Sequence, residues 1–328
     1  MLMSTGAEAV ENAIKIAKQA TKRDAVICYT GAFHGRTLMA MTLTSKIDYK
    51  LNCGPFAPEV YRLPLPNTYR YSNGLTEDEY VKQELKRLHE SGKNLVNPKN
   101  VAAIIIELVQ GEGGFTVAPQ AYIEGLRDFC DEHGIMLIFD EVQSGFARTG
   151  SWGAMDHYNV IPDLSTWAKS MGSGMPIATV IGKAEVMDAA APGTTGGTYI
   201  GNPVACAASL ATIQYIKDVK LNERGVEVGN IIRTRFEAMQ TKFPQIGDVR
   251  GLGAMMAIEF VKNGDPRQPD GDLCSKVVKG CAEQGLIIIS AGTYKNNIRV
   301  LSPLTISNDL LNKGLDIIEE EIRKATLS

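Results

Sequence analysis

Short apolar runs alternate with helical patterns through the first two thirds of the chain, the signature of strand–helix units winding a mostly parallel sheet with helices on both faces. Strands are predicted over 25–29, 102–106, 136–139, 164–168 and 177–181. Between them Val10, Ala13, Ile14 and Ala17 share one helical face, and 121–133 reads as a helix closed by Gly134, a residue free to take the left-handed conformation at a helix end. Asn202 followed by Pro203 supplies an N-cap and a first helical residue, opening a helix that runs to about residue 218. From about residue 225 the pattern changes. An amphipathic helix over 226–242 leads to strands over 254–260 and 298–301 and to a last helix after Asn308. The predicted organisation is a large α/β domain over 1–224 and a smaller α+β domain over 225–328. The stretch 44–77, rich in Pro, Tyr and Asn, yields no element.

Composition narrows the class. The chain has 328 residues, 44% hydrophobic and 22% charged, enough for two globular domains with sizeable cores. Lys plus Arg is 34 against 37 for Asp plus Glu, a net charge of −3 with no single-sign block, so neither nucleic acid nor a membrane surface is an expected partner. Six scattered cysteines show no CxxC and no zinc spacing with the four histidines, so no metal is expected and free thiols in a reducing, cytoplasmic setting are. The most apolar run, 101–109, is broken by Glu107 and is too short to cross a bilayer, and the start MLMSTGAE lacks the apolar region of a signal peptide.

Three places could carry chemistry. Ser4-Thr5-Gly6-Ala7-Glu8 precedes a helix, where small residues leave amides open to a phosphate; Thr5 and Glu8 equally fit a capping box. Asp140 ends an apolar strand in Leu137-Ile138-Phe139-Asp140-Glu141-Val142-Gln143, at the carboxyl edge of a parallel sheet where ligands bind. A carboxylate there can hold a metal or a protonated ring nitrogen, or anchor its own loop; without a neighbouring His or third acid in sequence, metal is the weaker choice. Lys169 follows a strand and precedes a flexible Gly172-Ser173-Gly174, and the apolar Trp167 and Ala168 are expected to desolvate its ammonium toward a free amine. An imine-forming lysine, a strand-end aspartate and a phosphate-binding helix start are the parts of a pyridoxal-phosphate site.

With their flanks these residues resemble the class III (ω-) aminotransferases, through STGAEAVENAIKIA, GAFHGRT, ELVQGEGG, LIFDEVQSGFARTG, WAKSMGSGMP, GGTYIGNPVACAA and GTYKNNIRVLSPLTI, in the family's order along nearly the whole chain. The resemblance implies the fold type I architecture of pyridoxal-phosphate-dependent transferases and pyridoxal 5′-phosphate as cofactor. It makes Lys169 the cofactor-bearing lysine and Asp140 the partner of the pyridine nitrogen. By the same resemblance Gly6 and Ala7 give amides to the phosphate, Phe33 and Val142 cover the two ring faces, and Gln143 meets the ring hydroxyl. Thr198 is expected to reach the phosphate of a neighbouring subunit, so a homodimer or dimer of dimers is implied. Arg36 corresponds to the binder of the ω-carboxylate, Arg299 to the binder of the α-carboxylate of 2-oxoglutarate or glutamate, and Glu112 to the partner of Arg299 when an ω-amino acid is bound. His34 reads as a structural neighbour.

The implied reaction passes an amino group from an ω-amino acid, 4-aminobutyrate foremost, to 2-oxoglutarate, with 5-aminovalerate, acetylornithine or another ω-amine as alternatives. Two departures stand out. Leu108 replaces a usual proline, and the family's segment ahead of STGAEA is almost missing here. A chain truncated in that way is expected to bind its cofactor weakly, to aggregate and to transaminate poorly, and an inactive remnant or binding protein is the rival from another class.

Overall fold

The computed structural model describes residues 1–327. A seven-stranded sheet runs in the spatial order Val60–Leu63, Ala25–Tyr29, Val101–Ile106, Met136–Asp140, Leu164–Trp167, Ala178–Gly182, Leu2–Met3. The first five are parallel. All six residues of Val101–Ile106 are buried, as an unbroken apolar run requires when both faces of a strand are covered. Ala103 and Ile105 pack with Val10, Ala13 and Ile14 of the helix Gly6–Thr21 on one face. Ile104 and Ile106 pack with Tyr122, Leu126 and Phe129 of the helix Gln120–His133 on the other. Gly134 closes that second helix at φ +63°, in the left-handed region expected of it.

One strand runs against the expected winding. Ala178–Gly182 pairs antiparallel with Leu164–Trp167, because the segment between them holds only a short 3-10 turn, Lys169–Gly172, and no crossover helix that could return the chain in parallel. Leu2–Met3, not foreseen, adds antiparallel to its far edge. The stretch 44–77 holds the edge strand Val60–Leu63, and a capping box of Thr76 and Glu79 then starts the helix Glu77–Asn94.

The last third forms an antiparallel sheet in the order Ile246–Leu252, Met255–Phe260, Asn297–Val300, Ile289–Ala291. The helices Leu221–Lys242, Gly271–Glu283 and Asn308–Leu327 pack with it around a second core that includes Phe236, Ile258, Val277 and Ile318. The expected division between 1–224 and 225–328 falls inside the helix Leu221–Lys242. We propose the division at Lys220, whose φ of +52° breaks the chain from the preceding helix Pro203–Asp218. Among the described residues no helix is long and apolar enough to cross a membrane.

Strand register assembles the site. Ile106 lies opposite Phe139 and Asp140 opposite Thr166, so the carboxyl ends of three neighbouring strands deliver Glu107, Asp140 and, after a short turn, Lys169 to one edge.

Candidate active site

At that edge a cleft of ≈ 570 Å³ is lined by the helix start Ser4–Ala7, by Phe33 to Arg36, and by Asp140, Val142 and Lys169. A smaller cavity at its floor, lined by Phe33, Asp140, Val142 and Lys169 as well, reaches Glu107, Glu112 and Gln143. The capping box at the helix start is present, with Glu8 N–H donating to Thr5 Oγ1 (3.2 Å) and the Ser4 and Thr5 amides to Glu8 Oε2 (2.8 and 3.2 Å). It leaves the Gly6 and Ala7 amides with no acceptor among the described residues, so the cap and an anion site are compatible. A Cβ at Gly6 would come within 2.8 Å of Val142 Cγ1, so only glycine lets the helix start approach that side chain.

Asp140 is buried and makes three contacts. Its Oδ2 lies 2.7 Å from His34 Nδ1, and its Oδ1 accepts from Thr166 Oγ1 and the Val142 amide, both at 3.1 Å. Oδ1 therefore has both lone pairs in use, while Oδ2 keeps one that can receive a further N–H donor. His34 is thus the aspartate's direct partner, and its Nε2 is buried without one. Lys169 adopts φ +48°, a conformation non-glycine residues rarely hold and that clusters at functional sites. Its side chain forms no ion pair or hydrogen bond among the described residues. The expected desolvation is not found: Lys169 is exposed in the cleft, and Trp167 turns away to pack on Phe146, Gly145 and Gly153.

Gln143 Oε1 is buried with no partner at the cavity floor. An acceptor oxygen left free, two free helix-start amides, a carboxylate with one spare lone pair and an unpaired lysine fit a phosphorylated pyridine aldehyde carrying a ring hydroxyl. Phe33 meets Tyr49 edge to face, with centroids 5.2 Å apart. Arg36 is exposed at the cleft mouth, its guanidinium 4.6 Å from the Tyr49 ring centroid. Arg299 is buried behind Glu112: Nη2 donates to Glu112 Oε1 (2.5 Å), Nη1 to the Gly111 carbonyl (2.8 Å), and Nε is unpartnered. Glu112 Oε2 accepts from the Tyr49 hydroxyl at 2.6 Å. Burial pushes the Glu112 carboxyl up, but Tyr49 and Arg299 together hold it below its usual value. Thr198 is exposed and outside the cleft.

Glu107 also lines the cavity floor, although no motif marks it in the sequence. It is buried beneath the cleft, where Oε1 accepts the Phe33 amide (2.8 Å) and Oε2 the Gly111 amide (3.0 Å). Burial first, and the nearby Asp140 charge, push its carboxyl up to about 7, against the opposing effect of His34. Its one sequence signal is that it is the sole charge in the run 101–109. Tyr49 is likewise unmarked in the sequence, since it lies in the stretch 44–77 whose composition predicts no element. Among the described residues no group of three or more His, Cys, Asp or Glu could hold a metal ion.

A strand-edge cleft of this composition, on a mostly parallel sheet flanked by a smaller domain, defines a pyridoxal-phosphate-dependent transferase. A solved amine transaminase from an uncultivated Pseudomonas species, in its pyridoxal-phosphate-bound form, superposes with a TM-score of 0.91 at 27% identity, covering 99% of this chain and 76% of that one. The chain belongs to the class-III aminotransferases, whose family pattern matches residues 1–322. It is similar to a probable 4-aminobutyrate aminotransferase of Bacillus subtilis (strain 168), 46% identical over 324 residues, 98% of this chain and 74% of that one. A 5-aminovalerate aminotransferase of Pseudomonas aeruginosa is 47% identical over 321 residues, with the same coverage. Pyridoxal phosphate is the cofactor.

Proposed function

We propose that the protein transfers the amino group of an ω-amino acid, 4-aminobutyrate foremost, to 2-oxoglutarate, forming succinate semialdehyde and glutamate. The observation that carries this reading is the contrast between two arginines: Arg36 exposed at the cleft mouth, and Arg299 buried and neutralised by Glu112. An ω-amino monocarboxylate brings one carboxylate, which Arg36 binds while Glu112 stays on Arg299. The dicarboxylate acceptor brings a second, which Arg299 takes when Glu112 turns aside. The names of the relatives support the same donor class, and 5-aminovalerate, one methylene longer, is the second reading.

Bound pyridoxal phosphate supplies an aldehyde that condenses with amines and a ring that accepts electrons. The Gly6 and Ala7 amides would hold its phosphate, Phe33 and Val142 would flank its ring, and the Gln143 oxygen would accept from its hydroxyl. Asp140, fixed by His34, Thr166 and the Val142 amide, keeps the ring nitrogen protonated. The Lys169 amine would hold the cofactor and, as a free amine in the cleft, would carry the proton from the substrate carbon. We further propose a homodimer, or a dimer of dimers, in which Thr198 reaches the neighbouring phosphate. The helix Pro203–Asp218 beside it leaves Val204, Leu210 and Tyr215 exposed, an apolar face suited to a second copy.

Single-turnover half-reactions test the division of labour. Arg36→Ala should slow the reaction with 4-aminobutyrate by roughly a hundredfold and Arg299→Ala that with glutamate by as much, since each loses a charge-assisted pair. Equal losses in both half-reactions for Arg299→Ala would refute it.

A further inference from the structure

We propose that Tyr49 is a positioning residue for substrate selection: its hydroxyl latches Glu112 onto Arg299 and so sets how readily the cleft admits a second carboxylate. The proposal rests on the reading of Glu112 as the guard of Arg299. It adds a residue from a stretch that showed no pattern in sequence.

Arg299 is poised for a bidentate guest. Nη2 is occupied by Glu112 while Nε is buried and unpartnered. These are the two parallel donors of a side-on guanidinium–carboxylate pair, so an arriving carboxylate satisfies Nε only by taking Nη2 from Glu112. The Glu112 backbone stays put, because its carbonyl accepts the Gly292 amide at 2.9 Å. Only the side chain has to turn, and two bonds resist it: the one to Arg299 and the one from the Tyr49 hydroxyl at 2.6 Å.

Tyr49 is itself held on several sides. It ends the 3-10 turn Ile47–Tyr49, which Asp48 pins to Lys295 by an ion pair of 2.8 Å. Its ring meets Phe33 edge to face, and the Arg36 guanidinium and the Lys46 ammonium lie 4.6 and 5.4 Å from its centroid. Burial first, then the Glu112 carboxylate, push the hydroxyl up to about 12, so it remains a donor at every working pH. One side chain therefore touches both carboxylate anchors, with its ring at Arg36 and its hydroxyl on the partner of Arg299. Tyr49→Phe deletes the second contact and keeps the first.

The test is calorimetric titration of the cofactor-loaded protein with glutarate, which carries two carboxylates and no amine, and with butyrate, which carries one. Removing a hydrogen bond to a charged group should raise the ratio of glutarate to butyrate affinity about tenfold in Tyr49→Phe. Glu112→Ala should raise the ratio as well, and Tyr49→Phe should add nothing in that background. If Glu112→Ala raises the ratio and Tyr49→Phe does not, or if the Tyr49→Phe effect persists without Glu112, the latch is overturned while the guard stands. If Glu112→Ala leaves the ratio unchanged, Glu112 does not guard Arg299 and both readings fall together.

Discussion

Glu107→Gln separates the electrostatic cost of a buried carboxylate from its structural use. In the folded chain both oxygens accept backbone amides, those of Phe33 and Gly111, beneath a cleft that also holds Asp140. Burial raises the carboxyl from 4.5 to about 7. Between those values the folded protein keeps a proton that the unfolded chain has released, so stability falls as pH rises through this window and levels off above it. At about 1.4 kcal/mol per pH unit, the rise corresponds to a loss of about 3 kcal/mol between pH 4.5 and pH 7. Glutamine has the same shape, carries no charge and keeps one acceptor oxygen. Its NH2 then faces the donor it should receive, a pH-independent loss of about 1–3 kcal/mol. The wild type is therefore expected to be the more stable protein near pH 4.5 and to lose that advantage by about pH 8. Urea unfolding of both proteins, stripped of cofactor, at four pH values gives the difference directly. A difference that stays constant with pH would show that folding leaves the Glu107 carboxyl's pKa unchanged and refute the argument.

Three further outcomes follow from the site. Borohydride reduction of the cofactor-loaded protein should fix the pyridoxyl group to the peptide containing Lys169, and Lys169→Ala should abolish the adduct; mass-spectrometric mapping to another lysine would contradict the assignment. Asp140→Asn should slow transamination by roughly a hundredfold or more, since an amide cannot hold a pyridinium, whereas near-normal turnover would refute the pairing. If its NH2 faces His34 Nδ1, the imidazole proton must move to the unpartnered Nε2, a tautomer change visible by nitrogen NMR. Gly111→Ala should weaken cofactor binding about tenfold by equilibrium dialysis, because its Cβ would overlap the Gln143 oxygen; wild-type affinity would show that Gln143 is not a contact.

The parallel core was legible because both its faces are covered, which leaves apolar runs such as Val101–Ile106 standing out from their flanks. Caps were legible for a different reason: Asn202 with Pro203 and Gly134 are local devices whose chemistry does not depend on the rest of the fold. The direction of Ala178–Gly182 was not, since a strand's own residues are the same in either orientation and only the connection before it decides. Val60–Leu63 escaped because an edge strand with three half-buried residues has neither the unbroken apolar run of a central strand nor a clean alternation.

The site divides along similar lines. Gly6, Asp140 and Lys169 each sit at a helix start or strand end, so position in a local pattern exposes them. Glu107 sits at a strand end too, but beside an apolar run it read only as an interruption. The physical inference available from that interruption was stronger: a charge following six buried strand residues must meet donors, or its own protonation, to be tolerated. In the structure it does both, through the Phe33 and Gly111 amides and through a carboxyl raised to about 7. The Gly111 carbonyl in turn accepts from Arg299, so one residue, through its N–H and its C=O, joins the buried acid to the arginine read as the α-carboxylate site. Phe33 joins the same acid to the segment carrying Arg36. A buried carboxylate without a catalytic motif of its own thus fixes the backbone that holds the two arginines proposed to bind carboxylates, and disturbing it should move both together, where Tyr49→Phe moves only one.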